Sequence, residues 1–147
     1  MRKKPWRQDR SFYAFTTELQ TRYGDMDPER HINNVAVVGL HSEARTRLHL
    51  SLFGRQDWLA RTAVIRMTGF DNDFLQITHY PATVTCGVSL VALSSHGYTL
   101  AAGLFQDDVC VGLHECRMGA WQDGEWIALP PAVHDRLLAF GITREST

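Results

Sequence analysis

Residues 22–45 read RYGDMDPERHINNVAVVGLHSEAR, and this stretch decides the fold because a polar turn leads directly into a long helical pattern. Pro28 fixes its own φ and lacks a backbone N–H, so we expect a turn from Asp27 to Arg30. Asn33 and Asn34 stand immediately before the apolar periodicity, where an N-cap residue belongs. The sequence therefore predicts a carboxylate and an imidazole beside a helix start.

The start of a helix is a suitable place for acyl-transfer chemistry. Its first N–H groups lack partners and carry about half a positive charge, which stabilises a developing negative oxygen. Asp27 can serve as a base, and His31 has the side chain whose ordinary pKa of about 6.5 suits proton transfer near neutrality. We expect the backbone amides near Asn34 and Val35 to contact the oxyanion.

The same stretch resembles the signature of hotdog-fold thioesterases of the 4-hydroxybenzoyl-CoA thioesterase type, R-[YW]-x-D-x-D-x-x-G-H-[VI]-N-N. It is also similar to the plant acyl-carrier-protein thioesterase motif, which adds Val35 and Gly39 as matches. Three positions depart from these patterns: Arg30 replaces the usual glycine, Val37 replaces an aromatic residue, and Glu29 replaces the asparagine of the carrier-protein enzymes. The residues that match the first signature and its following helix are Arg22, Tyr23, Asp25, Asp27, His31, Ile32, Asn33, Asn34, Glu43, Ala44 and Arg45.

The resemblance implies an α+β hotdog fold, in which a curved antiparallel sheet of about five to six strands wraps a long central α-helix. It implies that Asp27 is the catalytic carboxylate, as general base or as nucleophile, with His31 as its polar partner and Glu43 as the reserve catalytic group. It also implies a homodimer or tetramer with shared sites. The substrate-binding residues are then Tyr23, Asn33, Asn34 and Val35, and the pocket residues are Arg30, Val37 and Leu40.

The rest of the chain fits one helix and a meander of strands. Apolar residues recur every four positions from Ala36 to Leu52, and Gly54 supplies a stop, which predicts a helix of about 20 residues. Residues 82–93 alternate with a period of two, so one face of that strand is expected to pack on the helix. Further strands are predicted at 11–23, 61–70, 98–106 and 109–118, with turns at 71–73, 94–97, 107–108 and 123–124 and a short C-terminal helix at 130–141.

Length and composition restrict the classes of function. The 147 residues are enough for a single domain, 1–147, and the net charge of −1 argues against nucleic acid as the main partner. The basic residues of segment 1–10 are interpreted as a solvated tail in preference to an attractor for a phosphorylated ligand. No apolar run approaches a membrane span, so we expect a cytoplasmic protein without membrane attachment. Three cysteines without paired spacing are expected to be reduced packing residues, and no disulfide is expected.

Several residues also have a purely structural interpretation. Asp27 can cap its turn, and Asp25 is expected to hold the turn or pair with Arg22 or Arg45. Glu43 and Arg47 have the i, i+4 spacing of a surface ion pair. His41, Arg45 and His49 fall on one helical stripe, which is interpreted as a polar edge or an interface. His41 and His49 lie about 12 Å apart along the axis, too far to share a metal, and we expect no metal site.

Three kinds of function follow from these observations. The first is hydrolysis of an acyl thioester, with acyl-CoA or an acyl carrier protein as the substrate, and no cofactor other than the CoA of the substrate. The second is an enoyl-CoA hydratase, because Gly24-Asp25-Met26-Asp27-Pro28 and His31 approach the hydratase motif G-D-x-N-P-x-H, although with one extra residue before the histidine. The third is a non-catalytic acyl-CoA-binding module, which Arg30 and Val37 suggest.

Overall fold

The computed structural model describes residues 4–56 and 64–146. Within these residues two short 3₁₀ helices precede the first strand, and a third 3₁₀ helix, two complete α-helices and five further strands follow. Their bounds are 3₁₀ helices Pro5–Gln8 and Arg10–Phe12, β1 Phe15–Gln20, a 3₁₀ helix Tyr23–Asp25, α1 Asn34–Phe53, β2 Ile65–Phe74, β3 Thr83–Leu93, β4 Gly97–Gln106, β5 Val109–Gln122, β6 Glu125–Ile127 and α2 Pro131–Phe140.

The strands form one antiparallel sheet in the order β1-β3-β4-β5-β2, with β6 paired to the end of β5. Helix α1 packs on the inner face of this curved sheet, and α2 lies against α1 and β3. A long helix wrapped by an antiparallel sheet is the hotdog fold, so the predicted fold class is confirmed.

Helix α1 begins and ends where the sequence predicts. The side chain of Asn33 accepts a hydrogen bond from the amide of Ala36, and Gly54 caps the other end with a φ of +72°. Leu40, Ala44 and Leu48 form the buried stripe that faces the sheet. These apolar side chains join those of the strands in one core.

The interpretation of His41 and His49 as a polar helix edge is wrong. Their side chains are only 1% and 0% exposed, and both face the sheet. The tyrosine hydroxyl of Tyr98 lies 2.9 Å from Nε2 of His49, and Sγ of Cys86 lies 3.6 Å from Nδ1 of His41. The period-four spacing of apolar residues identified the buried stripe of α1. It did not identify the two histidines beside that stripe as buried.

Two predicted segments differ from the structure. Residues 71–73, predicted as a turn, lie within β2, because Asp71, Asn72 and Asp73 pair in register with β5. The strand predicted at 11–23 is shorter, since only Phe15–Gln20 pairs with β3. Of the strand predicted at 61–70, residues 61–63 lie outside the described residues.

The outer face of the sheet is covered by the N-terminal segment, so the interpretation of 4–10 as a solvated tail is wrong. Arg7 is 1% exposed, and its guanidinium bonds Glu145 at 2.6 Å and Glu115 at 2.7 Å. Tyr13 crosses β3 and β4 over Gly87 and Gly103, where any side chain would collide with its ring. Arg10 also pairs with Asp108. Residues 1–3 lie outside the described residues.

Cys86, Cys110 and Cys116 are buried and free, as predicted. Within residues 4–56 and 64–146, no helix combines the length and apolar character that a membrane span needs. In the same ranges no three histidine, cysteine or acidic side chains converge as metal ligands would.

Candidate active site

The Asp27 turn is held by its own carboxylate. One oxygen, Oδ1, accepts hydrogen bonds from the amides of Glu29 at 2.9 Å and His31 at 3.1 Å. The backbone closes the same turn, since the amide of Asp27 donates to the carbonyl of His31 at 2.8 Å. Oδ2 receives no hydrogen bond from the described residues. The carboxylate therefore has a structural role through one oxygen and leaves the other available for chemistry.

Asp25 anchors the turn to the helix start. Its carboxylate accepts hydrogen bonds from the backbone and the guanidinium of Arg22, and its carbonyl accepts from both the amide and the side chain of Asn33. Burial acts to raise the pKa of the Asp25 carboxyl, but the hydrogen bonds and charge of Arg22 outweigh it and lower that pKa. Asp25 is thus paired with Arg22, one of the two partners expected from the sequence.

The first amides of α1 are available to a ligand. Asn33 caps the amide of Ala36 at 2.8 Å, while the amides of Asn34 and Val35 donate to no acceptor within the described residues. Val35 as a whole residue is 82% exposed. A partly positive helix end with two free donors can stabilise an oxyanion.

The imidazole of His31 does not bond the Asp27 carboxylate. Its Nδ1 lies 3.8 Å from a carboxylate oxygen of Glu29, and its ring meets that of His79 edge-on with centroids 6.1 Å apart. His79 follows β2 and was not identified from the sequence, because nothing near position 79 marks it as a partner of the turn. The structure thus places two imidazoles at the mouth of the Asp27 turn.

The predicted site residues divide among three clefts around the start of α1. A cleft of about 300 Å³, here called the Asp27 cleft, is lined by Asp27, His31, Asn34, Val37 and Phe74, with neighbouring residues of segment 75–78. A second opening of about 390 Å³ is lined by Tyr23, Met26, Asp27 and Arg30. Asp27 lines both openings and therefore connects the predicted site residues of one with those of the other.

Glu43 lies on the other side of the helix. It lines a groove of about 1090 Å³ between α1 and β1, together with Leu40, Val35 and Asn34. The carboxylate of Glu43 bonds Arg47 at 2.9 Å, as the i, i+4 spacing predicts. Asn34 lines both this groove and the Asp27 cleft, but Asp27 and Glu43 do not share a cleft. Within one chain the two candidate carboxylates therefore belong to separate clefts.

Arg30 adopts the left-handed backbone conformation, with a φ of +65°, and its side chain is exposed. Glycine adopts this conformation without strain, which gives a physical reason for the glycine at this position of the family signature. Arg30 lines the second opening, together with Tyr23, and does not line the Asp27 cleft.

A polar cluster lies below the Asp27 cleft, at the α1 face of β5 and β2. The rings of His41 and His114 stack with centroids 4.9 Å apart, and Nδ1 of His114 lies 3.1 Å from Oδ1 of Asn72. Burial and then the charge of Arg45 lower the pKa of His114 to about 4. Burial also lowers the pKa of His41 well below its usual value, and His114 adds to this effect. Both imidazoles are therefore neutral at pH 7.

No protein-family model and no curated protein sequence matches this chain. Solved structures do match it. A thioesterase from Thermus thermophilus, complexed with coenzyme A and Zn, superposes with a TM-score of 0.77 at 20% identity over 87% of this chain and 94% of that one.

Two further solved structures superpose on this chain over most of its length. A 1,4-dihydroxy-2-naphthoyl-CoA thioesterase from Synechocystis has a TM-score of 0.75 at 15% identity, covering 84% of this chain and 95% of its own. A hypothetical protein from Staphylococcus aureus in complex with CoA has a TM-score of 0.79 at 12% identity, covering 90% of this chain and 87% of its own. At these identities the likeness establishes the fold.

Proposed function

We propose that this chain is an acyl-CoA thioesterase that hydrolyses an acyl thioester to the free acid and thiol. The observation that carries the proposal is that Asp27, whose Oδ2 receives no hydrogen bond from the described residues, shares a cleft with Asn34, whose backbone amide is likewise unbonded among them. The fold shared with thioesterases and CoA-bound proteins adds support, although it assigns no residue of this chain.

In the proposed reaction the thioester carbonyl oxygen points at the amides that open α1. Asp27 acts on the carbonyl carbon in one of two ways: Oδ2 removes a proton from the attacking water, or Oδ2 attacks the carbon and the resulting anhydride is hydrolysed by water. In either route a C–O bond forms, the C–S bond breaks, and the negative charge on the carbonyl oxygen is met by the Asn34 and Val35 amides.

The thiolate leaves easily, so a small set of groups suffices. We assign its protonation to the imidazolium form of His31, whose ring lines the same cleft as Asp27 and regains a proton from water after the thiol has left. Tyr23 and Arg30 line the adjacent opening, where the exposed part of the thiol carrier is expected to bind. Val37 and Leu40 are assigned to the acyl side, with Val37 in the Asp27 cleft and Leu40 in the α1–β1 groove.

The proposed chemistry uses a carboxylate, an imidazole and backbone amides, and needs no metal or cofactor beyond the CoA of the substrate. We predict that dialysis against EDTA leaves turnover unchanged within experimental error. The measurement is thiol release before and after chelation, with added Zn²⁺ as the control. A loss of rate that Zn²⁺ restores would contradict this part of the proposal.

We also propose a homodimer or tetramer. Strand β2 pairs with β5 on one side, and no other described strand covers its second edge. Met67, Phe70 and Phe74 on this strand are partly exposed apolar side chains. A second copy joined at this edge would cover them and border the Asp27 cleft, since Phe74 lines it. Sedimentation equilibrium of the wild type and of Phe70→Lys tests this, because the charge should shift the chain toward monomer.

The function is tested with a panel of acyl-CoA and acyl-carrier-protein thioesters of different chain length, aliphatic and aromatic. We expect release of free thiol from at least one acyl-CoA. Faster release from carrier-protein substrates would move the assignment to an acyl-carrier-protein thioesterase. Loss of enoyl-CoA absorbance without thiol release would indicate a hydratase, and tight acyl-CoA binding by calorimetry without hydrolysis would indicate a binding module.

A further inference from the structure

A dent lies in the inner face of the sheet beneath α1. Four residues form a row across the strands, each paired with the next: Cys86 on β3, Leu104 on β4, Gly112 on β5 and Phe74 on β2. Gly112 alone has no side chain. A Cβ placed there would lie 3.6 Å from Nε2 of His41 and 3.7 Å from Cγ1 of Val37, which is ordinary van der Waals contact. The row therefore leaves room for about one methyl group beside the imidazole.

His41 faces this dent with a polar atom that the fold does not satisfy. Its Nδ1 lies near Sγ of Cys86, and its Nε2 has no hydrogen-bond partner within the parts of the chain that the structure describes. In the next row Nε2 of His114 and Nδ2 of Asn72 also lack partners among those residues. Buried polar atoms nearly always have a partner, and an unmade hydrogen bond costs about 1–3 kcal/mol. Three such atoms in one place indicate a position for a polar group of a ligand.

The dent adjoins the Asp27 cleft. Val37 and Phe74 border the dent, and both line that cleft. His41 is seven residues beyond Asn34, which lines the Asp27 cleft, and the two positions lie on nearly the same face of α1 about 10 Å apart along the helix axis. A group bound with its carbonyl at the Asn34 amide and its chain along this face of α1 would reach His41 with its far end.

We propose that Nε2 of His41 hydrogen-bonds a hydroxyl group at the far end of the acyl chain, and that the preferred substrates are neutral, terminally hydroxylated acyl thioesters. This assignment rests on the proposed thioesterase function and adds a specificity-determining residue to it. A hydroxyl suits the site because it both donates and accepts, so it pairs with either tautomer of a neutral imidazole. A charged acyl group would have to leave water for a buried site, which is unfavourable.

The test compares two CoA esters that differ only in the terminal hydroxyl, hexanoyl-CoA and its terminally hydroxylated analogue. We expect the wild type to favour the hydroxylated ester by about tenfold in kcat/KM, the factor that one hydrogen bond of typical strength provides. His41→Leu replaces the imidazole with an apolar side chain, which suits the core but cannot bond the hydroxyl. It should reduce this preference to near unity. His96→Leu makes the same chemical change at an exposed turn and should keep it.

Gly112→Ala supplies a second variant that does not depend on replacing a buried imidazole. Its methyl group would fill the dent at ordinary contact distances, so the fold should be retained while the hydroxyl is excluded. We expect it, too, to lose the preference for the hydroxylated ester.

The outcomes separate this inference from the function on which it rests. Equal wild-type rates on the two esters, or a preference that survives both His41→Leu and Gly112→Ala, would overturn the assignment of His41 while leaving hydrolysis intact. Absence of thiol release from every ester in the wild type would overturn the thioesterase function, and the His41 contact with it.

Discussion

At the scale of single residues, Arg30 carries a backbone conformation that its side chain does not favour. The left-handed region costs a residue with a Cβ about 1 kcal/mol relative to glycine. We predict that Arg30→Gly has a free energy of unfolding about 1 kcal/mol higher than Arg30→Ala, because both lose the guanidinium and only glycine relieves the strain. Urea denaturation of the two variants gives this difference. Equal stabilities would show that the turn relaxes around the side chain.

The residues that form the Asp27 turn and the candidate site could be predicted from the sequence. The separate clefts in which these residues lie could not. The turn and the cap at Asn33 depend on contacts within ten residues, which local chemistry describes well. The separation of Asp27 from Glu43 depends on which side of α1 faces β1 and which faces β2. His41 was misplaced for the same reason, since its burial depends on a dent at Gly112 on a distant strand.

At the scale of elements, Asn33 links the active turn to α1. Its side chain caps the amide of Ala36 and donates to the carbonyl of Asp25. Removing an N-cap side chain costs about 1 kcal/mol. We predict that Asn33→Ala lowers the free energy of unfolding by about 1–2 kcal/mol, measured in urea. Asn34→Ala is the control and should change it by less than half as much, since the Asn34 side chain makes no described cap. A reversed order would show that the helix starts differently in solution.

Strand β2 shows where element prediction failed. The run Asp71-Asn72-Asp73 has the composition of a turn, yet it continues a strand. Arg117 on β5 bonds Asp71 at 2.7 Å, and His114 on the same strand pairs with Asn72. These cross-strand partners stabilise polar residues in the strand, and tertiary contacts of this kind outweigh local propensity.

At the scale of the whole molecule, the N-terminal segment closes the outer face of the sheet across Gly87. An added methyl there would lie about 2.5 Å from the Tyr13 ring. We predict that Gly87→Ala lowers the free energy of unfolding by about 1–3 kcal/mol, the usual cost of overpacking. The matched control is Gly112→Ala on the inner face, which has room for the methyl and should cost less. Equal effects in thermal or urea unfolding would contradict the docking of Tyr13.

The docked N-terminus could not be predicted from local sequence. Arg7 is neutralised by Glu115 and Glu145, which lie 108 and 138 positions away along the chain. A cluster of basic residues at a terminus has the composition of a solvated tail, and only the folded sheet supplies its partners. The fold class was predictable because a short motif specified it; the closure of its outer face was not.

Neutral buried histidines make the whole molecule sensitive to acid. The pKa of His114 falls to about 4 on folding, so the unfolded chain binds a proton below pH 6.5 that the folded chain does not bind. Stability from this group is therefore present above pH 6.5 and is lost as the pH falls toward 4, by about 3 kcal/mol. His41, whose pKa is also lowered by burial, adds to the loss.

We predict that the free energy of unfolding, measured in urea, decreases between pH 7 and pH 4.5 and that the decrease is smaller in His114→Phe. His134→Phe, a change at a histidine on α2, serves as the control and should behave as the wild type does. An acid dependence that is unchanged in His114→Phe would show that this imidazole is protonated in the folded state.

The most direct measurement of the central claim is thiol release in a single turnover, with the enzyme in saturating excess over acyl-CoA, compared among the wild type, Asp27→Asn and Glu43→Gln. An asparagine oxygen can still accept from the amides of Glu29 and His31, so the turn is kept and only the reactive carboxylate is removed. We predict that Asp27→Asn is slower than the wild type by about 100- to 10,000-fold, and that Glu43→Gln stays within a few-fold. A wild-type rate in Asp27→Asn would contradict the account.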